Sequence, residues 1–548
     1  MSVQLHTEAQ PSPAASAGLV ERLRWALRAR LRDPNPVWIR ELKQSARLGR
    51  TPIILAVVTC VMTLLIASIG GVLSVTAEPA QVGIGVFHTF FSLAFAVVTW
   101  VGPAVAATTI ASERSGRTWE ALLLTSLPPT AIARGKFMAA LTYVCLYVVM
   151  LAPVGGLAFL FGGITPAEVL LAFVVLFLIA ALSVAFGLAM SSAFSSPAVA
   201  ILVTLFVAVP ASILVYLLGG VGLSFPVHDL WPGVLAGGPV WLPTAYVRAD
   251  FSLSYMVFLV LWPLVATSVP SWLLYEVTAA NMAAPSDDRS TRLRVWILVT
   301  APALALVIAL SCLALRDVEW TIAGLSLAWV FFGFVAFLIA GEPLGPTARV
   351  EARWVRERAG RLVRWLGPGV GRAAALVFVL CVGCLASLTV LGFALASSRD
   401  DVSSVVGFGG YALGFSVFLL GFASSCRARA QGAAVPRVLL AGALFLALLG
   451  PYIALAIGGV LTDGDDRMSL VAAPSPAFAF ALVQRLRSPG GDADYYIIAA
   501  AAASLGWALV GVGLLLDGAR HARRRWIAER AELGAWNAAT PTVAVPTP

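Results

Sequence analysis

Twelve stretches of this chain are long and apolar enough to cross a bilayer, and that constrains the fold more than any other feature. A membrane-spanning helix needs about 20 mostly apolar residues. Such runs occupy residues 52–76, 85–111, 137–162, 167–190, 198–219, 253–275, 295–315, 321–341, 373–396, 404–424, 438–460 and 495–516. None holds Asp, Glu, Lys or Arg except the fourth, where Glu168 stands in the first turn. Hydrophobic residues make up 59% of the chain and charged residues 12%, too little polar surface to cover a water-soluble globule. The same balance excludes a disordered chain. The expected fold is therefore all-α, a polytopic membrane helix bundle of about 12 transmembrane helices.

The charge distribution orients the bundle. With the N-terminus placed in the cytosol, residues 1–50, 112–136, 276–294, 342–372, 425–437 and 517–548 carry 31 of the 37 Lys and Arg. The opposite side holds Arg248, Arg316, Arg399, Arg467, Arg485 and Arg487. That asymmetry follows the positive-inside rule and puts both termini in the cytosol. The net charge of +9 then reads as a topology signal, with attraction to anionic lipid as a secondary effect. No basic, aromatic-interleaved module is present, so nucleic acid is not an expected partner. No short apolar leader with a cleavage site precedes the first span, so no removed signal peptide is expected.

Chemistry-bearing motifs are scarce. The chain has no H-E-x-x-H, no G-x-S-x-G and no P-loop G-x-x-x-x-G-K-S/T, so it is not expected to be an enzyme or to hydrolyse ATP itself. Cys381-Val-Gly-Cys384 matches C-x-x-C but lies inside an apolar run, where core packing is the better reading than metal or redox chemistry. No metal and no cofactor is expected in this chain. Thr165-Pro-Ala-Glu168 has the form of a helix cap. His88 reads as a structural histidine near the start of the second span. Gly410 and Gly414 form a G-x-x-x-G pair suited to close helix contact.

Before the first span, residues 18–32 and 37–50 are amphipathic and basic, separated by Asp33-Pro34-Asn35-Pro36. Helices of this kind lie in the membrane interface. In the second, Trp38, Leu42 and Ala46 form the apolar face and Arg40, Lys43, Gln44 and Arg47 the polar one. The span starts suggest a 6+6 repeat, and each half has a Pro-rich outer loop before its last span, at 220–252 and 461–494. Those loops read equally well as re-entrant segments or as ordinary extracytoplasmic loops.

The most informative segment joins the second and third spans. It reads Glu113-Arg-Ser-Gly-Arg-Thr-Trp-Glu120-Ala-Leu-Leu-Leu124-Thr-Ser-Leu-Pro-Pro129, followed by Ile132 and Arg134-Gly-Lys136. Glu113 and Arg117 are spaced to pair on a helix. Trp119, Leu122 and Leu123 give a charged loop an apolar face, as a helix docking into a partner's groove needs. This segment resembles the signature region of ABC-2 type permeases, the membrane subunits of ATP-binding-cassette transporters, at Glu113, Arg114, Thr118, Glu120, Leu122, Leu123, Thr125, Leu127, Gly135 and Lys136. Arg117 departs from that pattern, standing where the family has Gly. Asn35-Pro36-Val37 with Arg40-Glu41-Leu42 likewise resembles the family's N-P-V-x-x-R-E-L opening on its connecting helix.

The resemblance implies a permease subunit of an ATP-driven transporter, an exporter by family, coupled through loop 112–136 to a separate P-loop ATPase that binds the ATP. It places ATPase contact at Glu113, Arg114, Arg117, Thr118, Trp119, Glu120, Leu122, Leu123 and Lys136, and the connecting helix at Asn35, Pro36, Arg40 and Glu41. The domains expected are a basic N-terminal segment (1–50), a six-helix permease domain (51–278), a second six-helix bundle that is either a degenerate permease repeat or an appended one (279–519), and a cytosolic tail (520–548). If it is appended, the permease pairs with a second permease chain. Membrane lipid is the remaining partner, and the bacterial plasma (inner) membrane the expected location. A gradient-driven carrier is the alternative, weakened by the lack of a midplane ionisable group; a membrane-embedded lipid-modifying enzyme comes after it.

Overall fold

The computed structural model describes residues 35–46, 50–116, 119, 124, 127–235, 242–461, 470–486 and 493–539. Among these residues there are helices and no strand, and twelve helices are long and apolar enough to cross a membrane. The chain divides into two compact units, residues 1–163 with 183–205, and residues 164–182 with 206–548.

The first unit contains α1 (Pro36–Ala46), α2 (Arg50–Thr76), α3 (Pro79–Ser115) and α4 (Pro129–Met150), with the last part of α5 (Pro166–Ala193) and the first part of α6 (Pro197–Tyr216). Pro opens α3 and α4, where its missing N–H costs nothing. α3 buries Val86, Phe90, Ala94, Val98, Ala106 and Ile110 in a stripe that winds around the helix. On α5, Ser183, Gly187 and Ser191 recur every fourth residue and so share a face. That small-residue stripe lets α5 approach α3 closely: a Cβ on Gly187 would collide with the backbone of Pro103, and Ser191 Oγ accepts from the N–H groups of Ile110 (2.9 Å) and Ala111 (3.1 Å).

The helices run past the apolar stretches read from the sequence. α3 begins at Pro79 rather than 85 and reaches Ser115; α4 begins at Pro129 rather than 137. Hydropathy marks the hydrocarbon, whereas the backbone hydrogen-bond ladder continues into the interface. Glu113 and Lys136 therefore stand on helices, as do Glu276 and Arg294 in the second unit.

The second unit contains α7 (Trp262–Met282), α8 (Thr291–Leu315), α9 (Val318–Ile339), α10 (Ala348–Arg356), α11 (Arg361–Leu366), α12 (Val370–Leu395), α13 (Arg399–Arg429), α14 (Ala434–Leu461), α15 (Phe478–Leu486) and α16 (Ala493–Ala539). α13 is its centre, packed by α9, α12 and α16. Ser398 and Asp401 start α13 with a capping box, and Thr165 and Glu168 make the same device at α5, as the sequence suggests. Cys381 and Cys384 are buried in the hydrophobic core.

α13 and α16 meet along a seam of small residues. Cβ atoms on Gly414 and Gly421 would run into the backbone of Ser504 and Gly511, and one on Gly518 would meet Ser424 and Ser425. Gly414 and Gly421 are seven apart, as are Ser504, Gly511 and Gly518, so the seam keeps a heptad register. Gly410 faces open space, and the close contact is thus Gly414 with Gly421 rather than the G-x-x-x-G pair.

The segment before α16 packs inward. Ser475, Ala479 and Leu482 are fully buried. Tyr411 Oη donates to the Ala473 carbonyl (2.9 Å), Trp507 Nε1 to Pro474 (3.0 Å), and Ser475 Oγ to Leu448 (2.8 Å). Tyr411 stands three turns inside α13, roughly 18 Å from its start at 1.5 Å per residue. Irregular backbone reaches such depth only where protein groups satisfy it. Within the 461–494 loop, residues 470–486 have the inward packing that a re-entrant segment needs. In the 220–252 loop, Val227 and Ala245 are buried with Leu259.

Replacing Gly421 or Gly511 with Leu should destabilise the protein by about 1–3 kcal/mol or more through overpacking, while Gly410→Leu should leave stability within about 0.5 kcal/mol. Thermal melts in detergent distinguish these outcomes.

Candidate functional site

Two halves of one polar lock are written about 70 to 100 residues apart in the chain. The first is α1. Asn35 precedes it and accepts from Val37 N through Oδ1 (2.9 Å), while Pro36 occupies the first helical position, so the helix start is fixed locally. Asn35 Nδ2 donates to the Ala131 carbonyl in the first turn of α4 (2.7 Å). Val37 is buried against Gly135, where a Cβ would lie 2.6 Å from Val37 Cβ and 2.8 Å from Asn35 Oδ1. Only Gly lets α1 lie this close. Further along, Tyr143 Oη donates to the Leu42 carbonyl (3.0 Å). The stripe of α1 that meets α4 is thus Val37 with Glu41, while Trp38 and Leu42 are half-buried beside it.

The second half is charge. Lys136 is fully buried, and its ammonium donates to Glu41 Oε1 (3.1 Å) and to the Thr109 carbonyl (3.1 Å) and pairs with Glu113 Oε2 (3.0 Å). Arg40 Nη2 reaches Glu41 Oε1 (2.9 Å) and Glu113 Oε1 (2.5 Å). Two cations and two carboxylates form a neutral quartet joining α1, the end of α3 and the start of α4. Burial alone would push the Glu41 carboxyl up, but Lys136 and Arg40 together hold it below the usual carboxylate range.

Beyond the quartet, Arg114 Nη1 donates to the Ser192 carbonyl at the end of α5 (2.8 Å), where a cation complements the helix dipole. Its guanidinium also lies 5.3 Å from the Trp119 ring centroid. Leu124 is 85% exposed. Of the residues singled out in the sequence, Asn35, Pro36, Arg40, Glu41, Glu113 and Lys136 thus converge, with Arg114 and Trp119 alongside. Arg117, Thr118, Glu120, Leu122 and Leu123 lie outside the described residues, so the partners found for Glu113 are Arg40 and Lys136. Lys136 presents no surface to another protein; its place is inside the lock. The sequence reading missed Thr109, Tyr143, Ser191 and Ser192. Tyr143 could have been found, because it follows Lys136 by two helical turns on the same face.

Residues 53–240 match the family described as ABC-2 family transporter protein. This stretch is similar to the membrane domain of ABC-2 type permeases. With twelve helices long and apolar enough to cross a membrane among the described residues, the chain is a multi-pass membrane protein that carries a stretch similar to the membrane part of ABC-2 transporters. The permease match covers Glu113, Arg114, Trp119 and Lys136 but begins after α1, so the lock joins the matched domain to a helix just before it. No curated protein and no solved structure matches the chain.

Lys136→Met should cost the permease about 3–5 kcal/mol, the range for removing one partner of a buried ion pair. Adding Glu41→Gln and Glu113→Gln should recover most of the loss in chemical denaturation. Because folding lowers the Glu41 pKa below its ordinary value near 4.5, its contribution is present above that pH and fades as the pH falls through the lowered value. Hydrogen exchange should show α1 loosening on acidification, and Glu41→Gln should flatten that dependence.

Proposed function

We propose that this chain is the membrane-spanning permease subunit of an ATP-driven exporter, moved by a separate P-loop ATPase subunit that grips loop 112–136 from the cytosol. The observation that carries the reading is the Arg40–Glu41–Glu113–Lys136 quartet. It ties a flanking helix to both helix ends that bracket the loop, so a push on the loop is delivered to α1, α3 and α4 together. A flexible loop would absorb such a push. The lock rigidifies its base.

Within this reading Trp119, Glu120, Leu122, Leu123 and Leu124 form the face offered to the ATPase, with Arg117 and Thr118 at its entry. Arg114 orients Trp119. Glu41, Glu113 and Lys136 are positioning residues behind that face. Positive-inside asymmetry supports a cytosolic location for the loop and both termini. The plasma (inner) membrane is the proposed location. Domains 51–278 and 279–519 are proposed as a permease half and either its degenerate repeat or an appended bundle. In the appended case a second permease chain completes the transporter.

The test is co-expression with a P-loop ATPase subunit taken from the same genome. The ATPase should co-purify with the wild type, and Leu123→Asp should abolish retention without altering the melting temperature of the permease. Retention and transport that survive Leu123→Asp and Trp119→Ala would remove the loop from the contact. ATP turnover by the chain reconstituted alone would overturn the subunit assignment.

A further inference from the structure

A second basic surface lies in the second unit, between the spans α9 and α12. Residues 349–372 carry seven Arg and two Glu. Both acids have partners: Glu351 pairs with Arg530, and Glu357 with Arg353. Arg356, Arg358, Arg361 and Arg364 are exposed, and no acidic partner is found for them among the described residues. Apolar side chains are exposed with them. Val355 is 72% exposed and Leu362 69%, with Trp365 partly exposed on the same face of α11 as Leu362.

The depth of this surface is fixed. Arg294, buried in the first turn of α8, donates to the Gly367 carbonyl and to the Gly369 carbonyl (2.9 Å) and pairs with Glu342 (2.8 Å). Val370 N donates to the Pro343 carbonyl (2.9 Å). The end of α11 is thus pinned level with the start of one span and the end of another. A cationic helix pair with exposed Leu and Trp, held at the ends of membrane spans, has the composition of a segment lying in the headgroup layer.

We propose that α10 and α11 form an anionic phospholipid site, in which Arg356, Arg361 and Arg364 hold lipid phosphates while Leu362 and Trp365 enter the upper acyl region. Guanidinium groups suit phosphate because they donate in a planar fork. The occupant is membrane lipid, because the apolar face is pinned level with the ends of two membrane spans, where lipid is the neighbouring medium.

The test titrates the full chain, in neutral-detergent micelles, with a fluorescent-tailed phosphatidylglycerol, using the phosphatidylcholine analogue as reference. The wild type should prefer phosphatidylglycerol. The triple variant R356Q/R361Q/R364Q should bind it about 100-fold more weakly, three lost charges near an anionic headgroup. The lysine variant R356K/R361K/R364K should keep the preference. A loss of less than tenfold in the glutamine variant overturns the proposal. So does a glutamine variant that binds the lipid normally but no longer retains a co-expressed protein, because the face then belongs to that partner. An equal loss in an Arg523→Gln/Arg524→Gln control also overturns it, since overall charge would then suffice. None of these readouts depends on transport or on ATPase binding.

Discussion

A charge taken out of water must find its opposite nearby, and the architecture of this chain follows from where that demand is met. The interiors of the spans are almost free of ionisable groups, so little there has to be neutralised. At the helix ends the demand is met in full: the buried Lys136 ammonium is balanced by Glu41 and Glu113 and completed by a backbone carbonyl, with Arg40 closing the set to neutrality. An isolated buried ammonium would cost several kcal/mol. The neutral set offsets that cost, and it exists only when α1, α3 and α4 are all in place. The interaction that makes the charges tolerable therefore also specifies how three elements meet.

The second unit uses a related arrangement. Arg294 stands in the first turn of its span, as Lys136 stands in the early turns of α4, and each pairs with a carboxylate and binds backbone carbonyls. Arg294 thereby satisfies carbonyls outside a helix, those of Gly367 and Gly369, whereas Thr109, which Lys136 reaches, lies within α3. The partners differ. Arg294 binds the carbonyls of the segment ahead of α12, whereas Lys136 binds a flanking helix through Glu41. The arrangement around Lys136 joins the helix ends on either side of residues 116–128, and that around Arg294 holds a helix pair at a fixed level.

Much of this was legible in the sequence because the bilayer imposes a coarse code. Length and apolarity fix the spans, and the two motif fragments mark both sides of the lock. What the sequence could not give was their convergence. Spacing within one helix suggested Glu113 with Arg117, since local pairing is all that a helical pattern displays; Arg40 and Lys136 pair with Glu113 through tertiary packing. The resemblance places Lys136 at a partner's surface, and only the approach of α1 over Gly135 encloses it. The seam uses Gly414 with Gly421, two turns further on, and not Gly410, for the same reason: a G-x-x-x-G pair shows which positions permit contact, while the partner helix decides which of them are used. The inward packing of residues 470–486 rests on Tyr411 and Trp507, whose polar tips have no recognisable sequence signal.

The heptad seam between α13 and α16 has a mechanical consequence. The backbones come into close contact at Gly414, Gly421, Gly511 and Gly518. Sliding one helix along the other by a single residue drives side chains into carbonyls, and the next matching alignment lies about 10.5 Å away at 1.5 Å per residue. The two helices therefore behave as a toothed rack locked in one gear position, free to tilt as a body but not to creep, and any rearrangement of the second unit must carry them as one beam.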